Sequence, residues 1–340
     1  MFLIVRTDKR KRKIFETVKD GKIEKVRKYL KKNYININSR DENGNNMLHI
    51  AVENGHNNIV SLLLNTDILI SVTNNNKDCP LSLAYIKKNM EAIKMLFAAN
   101  VYKNVFLGRY YGKSLLYDAI DNNYYEYVDL FLKNGVSPNL GYFEKTPLYL
   151  AVIRKDTKYI KMLLKAGADY MKIYKNNQNI LHLAATDSQV LYLFMDLDID
   201  NLRILGKQID DKGNTPIFNS ISLKNKNPDA FYMLTKISQI NHVNFLNESL
   251  FRKAILCGRY RIAKNLCEFD VNYDDDYLYL SNLMLVLETK DISLIKSFFE
   301  SNYDFHKFSP HDIIKIIEYG KNVENTYVRN LIYDKYLPPI

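Results

Sequence analysis

The stretch Asn43-Gly44-Asn45-Asn46-Met47-Leu48-His49-Ile50-Ala51-Val52-Glu53-Asn54-Gly55-His56-Asn57-Asn58-Ile59-Val60-Ser61-Leu62-Leu63-Leu64 recurs in degraded form along almost the whole chain. Ala51 marks its phase, because a small residue there lets two helices of a repeat approach closely. Equivalent positions follow at Ala84, Ala119, Ala151, Ala184, Ser220, Ala254 and Val286, 32 to 36 residues apart. That spacing is close to the roughly 33-residue period of a β-turn plus two helices. Counting back from Ala51 places Thr17 at the marker and Gly21 where Gly55 sits, which gives nine units.

One unit shows the local physics. Thr146 is placed to cap a helix, and Pro147 suits its first turn, where a missing N–H costs nothing. Leu148, Ala151 and Val152 share one helical face, and after Lys155-Asp156 a second helix presents Ile160, Leu163 and Leu164. Gly167 is free to end that helix in a left-handed turn. A unit this small cannot bury its apolar face alone, so neighbours must stack and the molecule should be an elongated, curved solenoid.

Three segments carry a family signature: Thr146-Pro147-Leu148-Tyr149-Leu150-Ala151, Asn179-Ile180-Leu181-His182-Leu183-Ala184 and Thr215-Pro216-Ile217-Phe218-Asn219-Ser220. They resemble the Thr-Pro-Leu-His-x-Ala motif of the ankyrin-repeat family. The resemblance implies an all-α solenoid of about nine helix-turn-helix units with short β-turn fingers over residues 13–304. A basic segment, 1–12, precedes the array and a helical cap, 305–340, follows it. His49 and His182 occupy the signature position, where the family's imidazole bridges backbone groups between repeats.

Two copies depart from the pattern. Ala185-Thr186-Asp187-Ser188-Gln189 is too short for the usual interhelix turn and Met195 to Gln208 is correspondingly long, so a distorted sixth unit is expected. In the seventh, Leu223-Lys224-Asn225-Lys226-Asn227-Pro228 lengthens the interhelix loop, with Pro228 starting the second helix.

Catalytic chemistry finds little support. None of the six histidines forms a His-x-x-x-His pair or sits at ligand spacing from Cys79, Cys257 or Cys267, so no metal is expected. His306 and His311 flank Ser309-Pro310, where capping or a surface role is expected. Asp274-Asp275-Asp276 lacks the spaced ligands and terminal Glu of a calcium loop. No Gly-rich loop precedes a helix to cradle a phosphate, so no cofactor is expected, and Gly108, Gly112, Gly135 and Gly141 read as turn residues. The odd cysteine count fits a reduced, intracellular setting. No apolar run approaches the roughly 20 residues that span a bilayer.

The chain has a formal charge of +10. With basic residues taken as spread along repeats that also carry acids, most of this excess reads as solvated surface and nucleic acid as an unfavoured partner. The dense run Lys9-Arg10-Lys11-Arg12-Lys13 fits a nuclear import signal, an anionic-surface contact or a flexible charged terminus.

Ankyrin solenoids present a concave face of turn tips and inner helices, which is what the resemblance implies here. Most tips are polar: Arg40-Asp41-Glu42-Asn43, Asn74-Asn75-Asn76 and Asp210-Asp211-Lys212. Three consecutive ones are not: Phe106-Leu107-Gly108-Arg109-Tyr110-Tyr111, Leu140-Gly141-Tyr142-Phe143 and Ile173-Tyr174-Lys175. Aromatic and Arg side chains dominate protein interfaces. Arg109, Tyr110, Tyr111, Tyr142, Phe143 and Tyr174 are therefore the candidate protein-binding residues. The rings could instead pack on one another and stiffen neighbouring turns.

In the tail, Pro310 to Tyr319 reads as a helix with Ile314 and Ile317 on its apolar face. Tyr336-Leu337-Pro338-Pro339-Ile340 is similar to the start of the F-box-like motif that ends many poxvirus ankyrin proteins, with Pro339 where Glu is expected. Together with an Asn/Ile/Lys/Tyr bias of the kind AT-rich genomes produce, this makes the chain resemble poxvirus ankyrin-repeat proteins of the host-range type. The resemblance implies a monomeric, non-catalytic scaffold that blocks a host defence or signalling protein. An adaptor for a Skp-cullin ubiquitin ligase is the alternative.

Overall fold

The structure is a computed structural model and describes residues 2–32, 36–103, 105, 112–222, 228–269, 279–301, 303–304 and 308–336, with side chains at 2–8 and 279–281 left aside. Among the described residues it is all helical, with two isolated antiparallel bridges, Tyr142 with Lys145 and Val243 with Ser249. The chain divides into two compact units, Met1–Arg154 with Lys158–Asp169, and Lys155–Thr157 with Tyr170–Ile340.

In the first unit the helices come in pairs: α1 (Phe2–Lys19) and α2 (Ile23–Lys31), α3 (Met47–Glu53) and α4 (Asn57–Leu64), α5 (Pro80–Ile86) and α6 (Met90–Ala98), α7 (Leu115–Asp121) and α8 (Tyr125–Lys133), then α9 (Pro147–Ile153) and α10 (Thr157–Lys165). First helices stack on first helices, α1 on α3 on α5 and α7 on α9, while α2, α4 and α6 form the second row.

Each pair is built by the same local chemistry, set at fixed distances from the marker. From α3 onward the N-cap stands five residues before it, and its side chain accepts a backbone N–H from the first turn: Asn46 from His49, Ser114 from Tyr117, Thr146 from Tyr149. Each such cap contributes about 1 kcal/mol. The marker is fully buried at Ala51, Ala84, Ala119 and Ala151, and any larger side chain would push the stacked first helices apart.

Four residues after the marker the chain enters the left-handed region, at Gly21, Gly55, Lys88, Asn123 and Lys155. The next N–H then turns back onto the marker's carbonyl: Lys22 onto Thr17 at 3.1 Å, His56 onto Ala51 at 2.9 Å, Asn89 onto Ala84 at 2.9 Å and Tyr124 onto Ala119 at 2.8 Å. This closure satisfies a carbonyl that the end of the helix would leave without a partner.

The basic run Lys9 to Lys13 lies inside α1, which continues past residue 12 to Lys19.

In the second unit the order is α11 (Ile180–Ala184), α12 (Ser188–Met195), α13 (Ile199–Lys207), α14 (Pro216–Ser220), α15 (Asp229–Leu234), α16 (Leu250–Leu256), α17 (Tyr260–Glu268), α18 (Tyr279–Glu288), α19 (Ile292–Phe299), α20 (Pro310–Lys321) and α21 (Thr326–Tyr336). The same closure recurs at Ala254, which accepts from Arg259 at 2.7 Å after Gly258.

The sixth repeat is distorted as its sequence requires. Position 188 is not left-handed, and Asp187 instead caps α12 directly after a short link. The long segment after Met195 becomes a third helix, α13, capped by Asp198. Gly206 lets this helix lie against the backbone of Ile237, where a Cβ would come within 2.5 Å of the carbonyl oxygen. In the seventh repeat Pro228 is the N-cap of α15, and residues 223–227 lie outside the described residues.

At the end of the chain Ser309 and Asp312 form a capping box at the start of α20, and α21 packs on both α20 and α19. His311 is exposed there. One expectation fails: Ile314 is 54% exposed, and the buried positions are Ile316 and Gly320. The stripe Ile313-Ile316-Ile317-Gly320 has the spacing of one helical face, and a Cβ at Gly320 would sit 3.2 Å from Ile332 of α21, so the second helix selects this stripe.

Candidate functional site

The finger turns follow a template as regular as the helices. Ten residues before the marker an Asx side chain folds back over the turn and accepts two backbone N–H groups. Asp41 takes those of Asn43 and Asn45, Asn74 those of Asn76 and Asp78, Asp210 those of Lys212 and Asn214, and Asn244 those of Leu246 and Glu248. Seven residues before it the backbone is left-handed, at Gly44, Lys77, Gly112, Asn177, Gly213 and Asn247. Position ten therefore faces inward, and positions nine and eight form the outward tip.

Neighbouring tips are tied by single backbone bonds within each unit: Asn75 N–H to the Asn43 carbonyl at 2.9 Å, Asp211 to Asn176 at 3.0 Å and Phe245 to Lys212 at 3.1 Å. Buried histidines add further ties. The Nε2 of His49 lies 3.1 Å from the carbonyl of Asp78, and that of His182 lies 2.9 Å from that of Asn214, which is the bridging role expected of the signature position. His56 and His242 make similar contacts, with the carbonyls of Lys19 and Gly213. Burial pushes the His49 imidazole down to about 4 and lowers that of His182, so both are neutral near pH 7.

This register sorts the candidate residues. Arg109, Tyr110 and Tyr111 lie outside the described residues, as do Asp274 to Asp276, His306 and Leu337 to Ile340. Tyr174 belongs to the second unit and is only 7% exposed, so it is not a surface contact residue. The physical reason is its register: it occupies the inward position ten, and its exposed neighbours are Ile173 and Lys175.

Tyr142 and Phe143 stand at positions nine and eight of the fifth repeat. Gly141 replaces the Asx residue there, and the finger closes instead as a two-residue turn, with Tyr142 N–H to the Lys145 carbonyl at 3.0 Å and the return bond at 3.1 Å. Phe143 is left-handed (φ 51°) and 86% exposed. A bulky residue at positive φ is uncommon and strained, and such strain clusters at functional positions.

The ring is held on a fixed base. Tyr142 lies 4.3 Å from Phe143 and 6.0 Å from Tyr117 between ring centroids, with the Lys113 ammonium 5.6 Å from its own centroid. Lys113 pairs with Asp121 at 2.6 Å, and Arg154 pairs with the other Asp121 oxygen. Burial acts to raise the Asp121 carboxyl, but the two cations outweigh it and hold it below the ordinary carboxylate range. The Asp121 hydrogen bond and charge correspondingly raise Lys113.

Sequence reading passed over a second apolar tip. Phe245 and Leu246 fill positions nine and eight of the eighth repeat and are 69% and 72% exposed. Counting ten, nine and eight residues back from Ala254 would have found them. Among the described residues no group of three or more His, Cys, Asp or Glu could hold a metal ion, and no helix is long and apolar enough to cross a membrane.

Repeats of this construction define a class of protein-interaction modules. The family described as Ankyrin repeats matches in three copies over residues 14–107 and 116–203, more than half of the chain, and the chain belongs to that family. It is similar to poxvirus ankyrin-repeat proteins. An ankyrin-repeat protein of fowlpox virus is 28% identical over 178 residues, 51% of this chain and 32% of that protein. The interferon antagonist of vaccinia virus is 24% identical over 221 residues, 61% of this chain and 71% of that protein. The NAD-dependent deacetylase sir2B of Dictyostelium discoideum is 29% identical over 206 residues, 57% of this chain. The chain spans 26% of that deacetylase, so the likeness concerns a part of it. Ankyrin repeats are typically non-catalytic.

Proposed function

We propose that this chain is a non-catalytic scaffold that occupies a host defence or signalling protein through its apolar finger tips. The observation that carries the reading is Phe143: a large ring, strained at the backbone and almost wholly exposed on a base fixed by Tyr142, Lys113 and Asp121. Such a ring desolvates a large area on binding at little entropic cost. Phe245 and Leu246 offer the same chemistry in the second unit. The likeness to an interferon antagonist of vaccinia virus supports a target in the interferon response.

Phe143→Asn tests this with little risk to the fold, because Asn tolerates the left-handed region. Capture from interferon-treated host-cell lysate with the intact chain should recover a partner, and the variant should bind it at least about 30-fold more weakly, the scale of a single hot-spot residue. The unfolding free energy from urea titration should stay within about 0.5 kcal/mol of the parent. Unchanged capture by both Phe143→Asn and the Phe245→Ser/Leu246→Ser pair would refute the tip assignment. An undiminished interferon-reporter response in cells expressing the chain would refute the target class.

A further inference from the structure

The chain's positive charge is not spread along its repeats. Residues 1–32 hold 13 Lys and Arg against 4 Asp and Glu, a net of +9 out of +10 for the whole chain. The remaining residues, 33–340, balance 35 against 34. This charge sits on the first helix pair, α1 and α2.

The pair turns the charge outward. Ile14, Phe15, Val18 and Val26 are buried toward the array, and Lys9, Arg12, Lys13, Lys19, Lys25, Arg27, Lys28 and Lys31 are exposed. The nearby acids neutralise little of it: Asp20 pairs with Lys22, Glu24 with Arg27, and Glu42 of the next finger with Arg12, all at the surface. Lys9, Lys13, Lys25, Lys28 and Lys31 make no ion pair among the described residues.

The orientation is fixed. The turn between the helices passes through Gly21, whose open face lies against the imidazole of His56, and His56 Nε2 is 2.8 Å from the Lys19 carbonyl. α1 and α2 also pack on α3 and α4. The cations therefore form a preset surface.

We propose that the α1–α2 face binds an anionic lipid surface, independently of any partner held on the finger tips. Three features favour lipid over nucleic acid. Lysine outnumbers arginine nine to three between residues 9 and 32, which suits diffuse attraction better than bidentate phosphate recognition. That span has no Asn or Gln to read base edges, Phe15 is buried and Tyr29 half-buried, so neither base readout nor exposed stacking is provided for. Finally, the sequence Phe2-Leu3-Ile4-Val5 shortly precedes the basic run, and apolar residues next to cations are the composition that favours binding at an anionic lipid interface.

The test is co-sedimentation of the full chain with phosphatidylcholine vesicles, with and without about one-third phosphatidylserine, where each lysine near the surface contributes about fivefold to partitioning. Binding should require the anionic lipid and weaken steeply as salt rises from about 0.05 to about 0.2 M. The triple variant Lys25→Gln/Lys28→Gln/Lys31→Gln should lose about 100-fold. The matching Lys→Arg triple should retain binding, and circular dichroism should show both folded. Equal partitioning onto neutral vesicles, or an unaffected Gln triple, overturns the proposal. A random-sequence DNA duplex that binds more tightly in the same buffer and strips the chain from vesicles assigns the face to nucleic acid instead, and overturns it equally.

Discussion

Gly141→Ala is expected to open the fifth finger and lower stability by about 3 kcal/mol, from the loss of two or three backbone hydrogen bonds and the strain of displacing main chain. A Cβ built on Gly141 would stand 1.8 Å from the Lys145 carbonyl oxygen, 2.8 Å from its carbon and 2.9 Å from the Cα of Thr146. These are backbone atoms, so no rotamer change relieves the overlap. The strands of the two-residue turn must separate, which breaks the paired bonds between Tyr142 and Lys145 and disturbs the bond from Ser114 N–H to the Gly141 carbonyl. Phe143 would then leave its base, and partner binding should fall with stability. Gly167→Ala is the control: Gly167 is left-handed with nothing within 4 Å of a built Cβ, so only backbone strain of about 1 kcal/mol is expected. Urea unfolding of the two variants separates the effects. Equal midpoints would show that the close approach at Gly141 does not hold in solution.

The contrast between Gly141 and Gly167 also shows what could be read from sequence. Helix starts and stops are local chemistry, so Thr146, Pro147 and Gly167 announced their roles directly. The phase marker worked for the same reason: a small side chain suits the place where first helices stack, and Ala fills it in six of the units. Exposure of a finger residue is different, because it depends on register within the turn. Tyr174 and Phe143 look alike in composition, yet one falls on the inward Asx position and the other on the outward tip. Phe245 and Leu246 stand between Asn244 and Asn247, whose composition is that of an ordinary polar turn, so only their register marks them as a tip. Non-local choices were less legible still. Ile314 and Ile317 form one plausible apolar stripe on α20, and only the packing of Ile332 against Gly320 shows that the face used is Ile313, Ile316, Ile317 and Gly320, with Ile314 outside it. The concentration of charge in α1 and α2 needed no structure, only a count by segment in place of a whole-chain total.

Mild acidification should destabilise the first unit through a buried histidine. His49 is fully buried, and burial holds its imidazole near 4 against an ordinary value of 6.5, despite the opposing effect of its contact with the Asp78 carbonyl. The unfolded chain therefore binds a proton between these values that the folded chain refuses. Stability from this group is complete above about pH 6.5, falls as the pH drops toward 4, and levels off below that. The full loss is about 3 kcal/mol and the loss at pH 5 about 2 kcal/mol, at 1.36 kcal/mol per unit. His182, also lowered by burial, adds a loss of the same sign in the second unit. Asp20, Asp121 and Asp312, all held below the ordinary value of 3.8, lose their contributions only at still lower pH, apart from the loss due to His49. Urea unfolding at pH 7 and pH 5 measures the difference. His49→Gln should be less stable than the parent at pH 7, because its shorter side chain reaches the Asp78 carbonyl poorly, yet it should show a shallower dependence on pH. A parent whose stability holds or rises on acidification, or a variant with undiminished slope, would exclude His49 as the group responsible.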